Sequence, residues 1–218
     1  MRYLKSLWIF WTVGCCWAQS PNYLPTESSL SLRQTPAWYG AAKLGIFVHW
    51  GLYSVPGWAT PTAHAGKTTD WRHFYKHNPY AEWYLNTLRI AGSPTQAHHA
   101  KTYGTDYDYY RFAETFSREN QMWQPDDWAA LFKEAGAQYV VVTFFDSGRV
   151  HATRDFVGEL AQSVRKQRLY FGVYYSGGLD WTFYRSPVTN LWPDLFKSMP
   201  QSVAYTAYVD NHFYEIIH

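Results

Sequence analysis

Apolar positions in this chain gather into short runs closed by glycines and polar residues. The run "KLGIFVHWG", Lys43 to Gly51, is bounded by glycines and predicts a buried parallel strand that ends in a loop at His49 and Trp50. From Leu52 to His77 the run gives way to Pro56, Gly57, Pro61, Gly66 and several threonines, a long irregular loop of the kind that usually serves function. "NPYAEWYLNTLRI", Asn78 to Ile90, predicts a helix entered after Pro79, with Trp83, Leu88 and Ile90 facing inward. "DDWAALFKEAGAQYVVVTFF" predicts a helix capped by Asp126 or Asp127, with Trp128, Leu131 and Phe132 on one face; Gly136 stops it and a strand runs from Tyr139 to Phe145. The same pattern returns as a helix from Asp155 to Lys166 and a strand from Leu169 to Ser176, and a last helix spans Ser202 to Ile217.

Strands alternating with helices in this way predict parallel βα units and an α/β fold. Domains that close such units into a barrel usually need about 250 residues, so 218 residues allow one domain or part of a larger one, and a (β/α)8 TIM-like barrel of this length would be an incomplete (β/α)8 TIM-like barrel. The expected strand ends carry His49 and Trp50, then Asp146, then Tyr174, Tyr175 and Ser176. In a parallel barrel the active site gathers at those carboxyl ends.

The first 18 residues change the picture of where the chain works. Arg2 and Lys5 precede an apolar stretch from Leu7 to Val13 and small residues near Ala18, the pattern of a signal peptide too short to span a bilayer. The expected organisation is therefore a signal peptide over 1–18, a polar N-terminal arm over 19–37 and a partial barrel over 38–218. The destination is secreted, periplasmic or lysosomal. Both cysteines, Cys15 and Cys16, lie inside the leader, so the mature chain has no thiol for catalysis or bridging. Loss of Arg2 and Lys5 brings Lys and Arg from 19 to 17, equal to the 17 Asp and Glu. A balanced charge points away from nucleic acid and from an anionic membrane as partners.

Aromatic residues form 20% of the chain against 17% charged, a bias that suits a cleft lined by rings for sugars, which show both C–H faces and hydroxyls. Glycosidic hydrolysis needs two carboxyl groups, and Glu82, Asp146 and Asp180 are the candidates by placement. Each also has an ordinary structural reading: Glu82 as a first-turn glutamate, Asp146 in the turn "FFDSG", and Asp180 as the cap of the turn before Trp181. His98 and His99 lack the cysteine or carboxylate spacing of a metal site. There is no phosphate-binding glycine loop and no G-x-S-x-G elbow.

Seven segments together, among them "KLGIFVHWGLYSVPGWA", "NPYAEWYLNTLRI", "DDWAALFKEAGAQYVVVT" and "RDFVGELAQSVRKQRLYFGVYYSGGLDW", resemble the retaining α-L-fucosidase family of glycoside hydrolases from about Trp38 to the last residue. The resemblance implies a barrel catalytic domain followed by a β-sandwich, no cofactor, and release of terminal α-L-fucose from a fucosylated oligosaccharide or glycoprotein through a covalent glycosyl-enzyme. It implies that His49 hydrogen-bonds the sugar and that Glu82 is the acid/base candidate. Trp83 then stands beside Glu82, and one tyrosine of "YYSGG" enters the pocket. Strand alternation lets only one of that pair point inward, and Tyr174 is preferred over Tyr175.

Two departures stand against full activity. After "VVVT" the family continues with Lys-His-His-Asp/Glu-Gly, whereas this chain reads "FFDSGRVHATRDF", and the nearby His151 is a poor substitute for the missing pair. The family nucleophile is an aspartate of a Trp-x-Asp motif on the strand after the helix that here ends at His218. These departures predict an incomplete catalytic domain, inactive as given. The alternatives are a non-catalytic fucose-binding remnant and the product of a damaged or wrongly spliced gene.

Overall fold

The computed structural model describes residues 23–61, 69–144, 154–181, 183–190 and 194–217. The expected leader with Cys15 and Cys16, Gly66 of the long loop, Asp146 and His151 lie outside the described residues. The chain divides into two compact units, Met1–Ala41 and Ala42–His218.

In the first unit the polar arm holds one short helix, α1 (Glu27–Leu30), whose cap Thr26 accepts a hydrogen bond from Ser29 N through its side chain, followed by α2 (Ala37–Ala41). Neither helix buries a residue.

The second unit is built on three parallel strands in the order β1 (Gly45–Trp50), β2 (Tyr139–Phe144), β3 (Tyr170–Tyr175). Between β1 and β2 run α3 (Trp71–Lys76), α4 (Tyr84–Leu88), α5 (Pro94–Tyr103), α6 (Phe112–Glu119) and α7 (Pro125–Glu134). α8 (Phe156–Lys166) joins β2 to β3, and α9 (Asp194–Lys197) and α10 (Val203–Ile217) follow. Gly45 begins the sheet without a side chain because the Tyr139 ring of β2 lies across the space a Cβ would take.

Register sets which residues share a face. Val48, Val142 and Val173 stand level on the side that packs against α7 and α8, where Ala129, Leu160 and Val164 complete the main core with Trp50 and Val140. The alternate positions stand on the other side, and there Phe47 is 55% exposed and Tyr170 49%. β1 is therefore covered on one face only, not buried on both as its unbroken apolar run predicts.

The helix expected from Asp155 forms as α8, starting one residue later, while the caps expected for α7 do not form. Asp155 caps α8, its Oδ1 accepting from Gly158 N at 2.8 Å. In α7 the first helical position is Pro125, so the cap falls on Gln124, which makes no side-chain cap bond, and Asp126 and Asp127 lie inside the first turn. Asp126 instead reaches α8, where the Ser163 hydroxyl and the Lys166 ammonium donate to it. Those bonds hold its carboxyl below the usual carboxylate range. Gly136, at φ 84°, ends the segment as expected, while Leu131 is exposed and Ala129 takes the inward position. Arg154 closes the same corner: its Nε donates to Glu159, its Nη1 to the carbonyls of Asn120 and Trp123, and its guanidinium lies 5.2 Å from the Trp123 ring centre.

A second, aromatic core holds the loops that follow β1. Tyr84 and Phe112, almost fully buried, pack with Leu52, Tyr53 and Tyr109. His99 belongs to it. The Tyr107 carbonyl, 2.8 Å from His99 Nε2, can only accept, so Nε2 carries the proton and Nδ1 meets the Tyr84 hydroxyl at 2.9 Å. Both ring nitrogens are thus taken by protein groups. The helix expected over Asn78 to Ile90 is shorter, a 3-10 turn (Ala81–Trp83) leading into α4, and its most buried positions are Tyr84 to Thr87 rather than Trp83 and Leu88.

Candidate functional site

The carboxyl ends of the three strands bring His49, Thr143 and Tyr174 into one row, because the register pairs His49 with Thr143 and Thr143 with Tyr174. All three stand on the face opposite the helix-packed core. His49 and Tyr174 are exposed there, while Thr143 between them is buried and its Oγ1 has no hydrogen-bond partner. Burying a hydroxyl without a partner costs about 1–3 kcal/mol, so a row of this kind is a place where a ligand oxygen or N–H is welcome.

Glu82 comes from a different direction. It sits in the 3-10 turn before α4 and lines a cavity of about 190 Å³ together with Tyr53, Tyr175, Asp180, Trp181 and His212. Two long-range ties bring the wall residues together. Asn86, fully buried in α4, donates from Nδ2 to the Val188 carbonyl at 3.0 Å and accepts from Val188 N at 2.7 Å, a backbone-like pair made by a side chain. Arg89 Nη1 donates to the Trp181 carbonyl at 3.0 Å. Together they pin the segment after β3 against the helix that follows Glu82. On the far side, Tyr175 Oη and His212 Nδ1 share a hydrogen bond at 3.0 Å, and the Tyr205 hydroxyl donates to the Gly177 carbonyl at 3.0 Å. α10 is thereby held at the end of β3.

The phenols of the wall report its electrostatics. Burial, with the Glu82 carboxylate adding to it, pushes Tyr53 well above the ordinary phenol range. Tyr205 is pushed up to about 12 by burial and by Asp180, and Tyr175 is raised by the same two causes. These phenols remain donors at any physiological pH. Asp180 also acts as the turn cap its sequence suggests, its Oδ1 accepting from Phe183 N at 3.4 Å.

The expected site residues therefore fall into two places. His49 and Tyr174 stand together on the open face of the sheet. Glu82 lines the cavity, where the other tyrosine of the pair, Tyr175, also stands. Trp83 follows Glu82 in the same 3-10 turn, its ring 5.3 Å from Trp181 and 5.5 Å from Tyr75. Sequence reasoning missed Thr143, Tyr53 and His212. Alternation along "VVVTF" could have placed Thr143 in the row, but nothing local marks His212 as a partner of Tyr175. Among the described residues no group of three or more His, Cys, Asp or Glu converges as a metal site.

The chain is similar to several known proteins. Tissue alpha-L-fucosidase of Bos taurus is 34% identical over 178 residues, covering 74% of this chain and 33% of the relative. Alpha-L-fucosidase of Dictyostelium discoideum is 31% identical, covering 72% and 34%. Among solved structures, an alpha-L-fucosidase superposes with a TM-score of 0.81 at 44% identity, covering 90% of this chain and 47% of its own. The alpha-fucosidase of Thermotoga maritima in complex with fucose superposes with 0.77 at 42%, covering 90% and 47%. The chain thus spans about a third of the length of the curated relatives it matches. The profile of the alpha-L-fucosidase family runs through residues 13–218, across all three strands and both the His49 and Glu82 segments, and on that match the chain belongs to the alpha-L-fucosidase family.

Proposed function

We propose that this chain is the first part of the catalytic domain of a retaining α-L-fucosidase that removes terminal α-L-fucose from fucosylated oligosaccharides or glycoproteins. The observation that carries the reading is the row of His49, Thr143 and Tyr174 at the carboxyl ends of three parallel strands, in a chain of this family. In this reading the strands open a (β/α)8 barrel over residues 38–218, preceded by a signal peptide over 1–18 and an arm over 19–37, and the enzyme enters the secretory route.

His49 and Tyr174 hold the sugar hydroxyls. Glu82 is the acid/base, protonating the leaving oxygen and later activating water, and Trp83 stands beside it. The reaction also needs a nucleophilic carboxylate, which the family carries on a later strand.

The test is calorimetric titration of the purified chain with L-fucose and, as a control of equal polarity, D-fucose. L-Fucose is expected to bind, D-fucose to bind at least about tenfold more weakly, and His49→Ala to abolish the difference. Equal binding of the two enantiomers, or a His49→Ala variant that binds L-fucose unchanged, sinks the reading of the row as the sugar site.

A further inference from the structure

The short helix α3 is seated on one side and open on the other. Asp70 caps it, its Oδ1 accepting from His73 N at 3.1 Å. Tyr75, 5% exposed, packs inward with Ile90 and Val188, and Trp83 packs against the same cluster. His73 and His77 are four residues apart, so they stand one above the other on the face that Tyr75 does not use. The helical bond from His77 N to the His73 carbonyl, 3.0 Å, sets that spacing. His73 is exposed and His77 half-buried, and their rings stack with centres 4.0 Å apart and planes 20° from parallel.

The hydrogen bonds of the pair decide which nitrogens are available. His77 Nδ1 lies 3.0 Å from the His73 carbonyl, which can only accept, so Nδ1 carries the proton. In a neutral imidazole the lone pair then belongs to Nε2. Proteins ready a histidine for a metal in this way: a backbone carbonyl holds one N–H, fixes the ring and leaves the other nitrogen basic. His99 shows the opposite case, with both nitrogens taken by protein groups. Among the described residues, His77 Nε2 and the ring nitrogens of His73 meet no hydrogen-bond partner in the protein. Imidazole nitrogens bond to zinc at about 2.0–2.1 Å, so two of them on one ion stand no more than about 4 Å apart. The ring centres already have that spacing.

We propose that His73 and His77 hold a divalent first-row transition-metal ion on the outer face of α3, His77 through Nε2, with water filling the positions the two imidazoles leave. Two uncharged nitrogen donors suit zinc, copper or nickel and not the oxygen-seeking magnesium or calcium. The ion clips the last turn of the helix whose Tyr75 ring lies 5.5 Å from that of Trp83, next to Glu82. The site uses no residue of the fucose reading and stands or falls apart from it.

The probe is nickel chloride, titrated by calorimetry into the purified, untagged chain at about pH 7.5, where a histidine of ordinary pKa is neutral, with magnesium chloride as the control. A tight nickel site is expected, and magnesium is expected to bind at least about a hundredfold more weakly. His73→Asn and His77→Asn each weaken the nickel site at least about tenfold. The double variant is no more than about twofold weaker than the weaker single, because one histidine alone cannot chelate. Asn at position 77 keeps a donor for the His73 carbonyl, and neither side chain belongs to the buried core, so the far-ultraviolet dichroism is unchanged. His98→Asn, which removes the ring stacked on Trp58 at 4.2 Å, leaves the nickel site intact. No nickel binding, nickel bound unchanged by either single variant, a loss that appears in His98→Asn instead, or magnesium bound as tightly as nickel overturns the proposal. L-Fucose binding is the same in His73→Asn and His77→Asn as in the parent chain, which keeps failure of this site apart from failure of the sugar row.

Discussion

On one face of the sheet Val48, Val142 and Val173 stand level and pack beneath helices; one residue further along each strand, on the other face, His49, Thr143 and Tyr174 stand level, with His49 and Tyr174 exposed. The same six-residue strands thus carry stability on one side and polar groups on the other. Pleating separates the two tasks, since successive side chains point to opposite faces, and a histidine can end a strand without disturbing the core beneath it. The helix-packed face tolerates little change in volume. The open face tolerates chemistry.

The comparison breaks most visibly at Leu160, fully buried against the sheet. Leu160→Ala is expected to lower unfolding free energy by roughly 2–5 kcal/mol in a urea titration. A loss below about 1 kcal/mol would show that the helix-packed face is not the main core. Thr143 sharpens the contrast from the other side: replacing its partnerless hydroxyl by a methyl in Thr143→Val should raise stability by about 1 kcal/mol while reducing any sugar bound in the row. A fall in stability would mean that the hydroxyl already has a partner.

Tyr175→Phe removes the bond to His212 and is expected to cost about 1 kcal/mol, whereas Tyr174→Phe on the open face should leave the melting temperature unchanged and weaken L-fucose only. Exchanged effects would reverse the assignment of the two tyrosines. Phe47→Ser, at a position more than half exposed, should change stability by no more than about 0.5 kcal/mol.

The smallest effect concerns acid. Asp126 has a folded value below its unfolded one, so its contribution is present above about pH 4 and is lost as pH falls through the folded value. Glu159, held down by the Arg154 hydrogen bonds, acts in the same sense. Melting temperature should therefore decline from about pH 5 to about pH 3, and Asp126→Asn should flatten part of that slope. An unchanged slope would mean that the bonds from Ser163 and Lys166 do not persist in solution.

Several elements were legible because their signals are local. The extent of α8 to within one residue, the stop at Gly136 and the alternation that sets Tyr174 apart from Tyr175 each depend on a few adjacent residues. The misreadings came where one residue displaced another. Pro125 took the first helical position that the aspartates were expected to open, and the short turn at Ala81–Trp83 rotated the buried face of α4 from Trp83 to Tyr84.

By itself the sequence determined the alternation of strands and helices, their approximate bounds, and the placing of His49 and Tyr174 toward strand ends. Those depend on periodicity and on turn chemistry within about ten residues. Only the tertiary structure decided that His49, Thr143 and Tyr174 stand in one row, because register between β1, β2 and β3 joins residues over 120 positions apart. It likewise decided that Glu82 shares a cavity with Asp180, Trp181 and His212. Asn86 and Val188 meet across 102 residues, and no local pattern in the chain encodes their meeting.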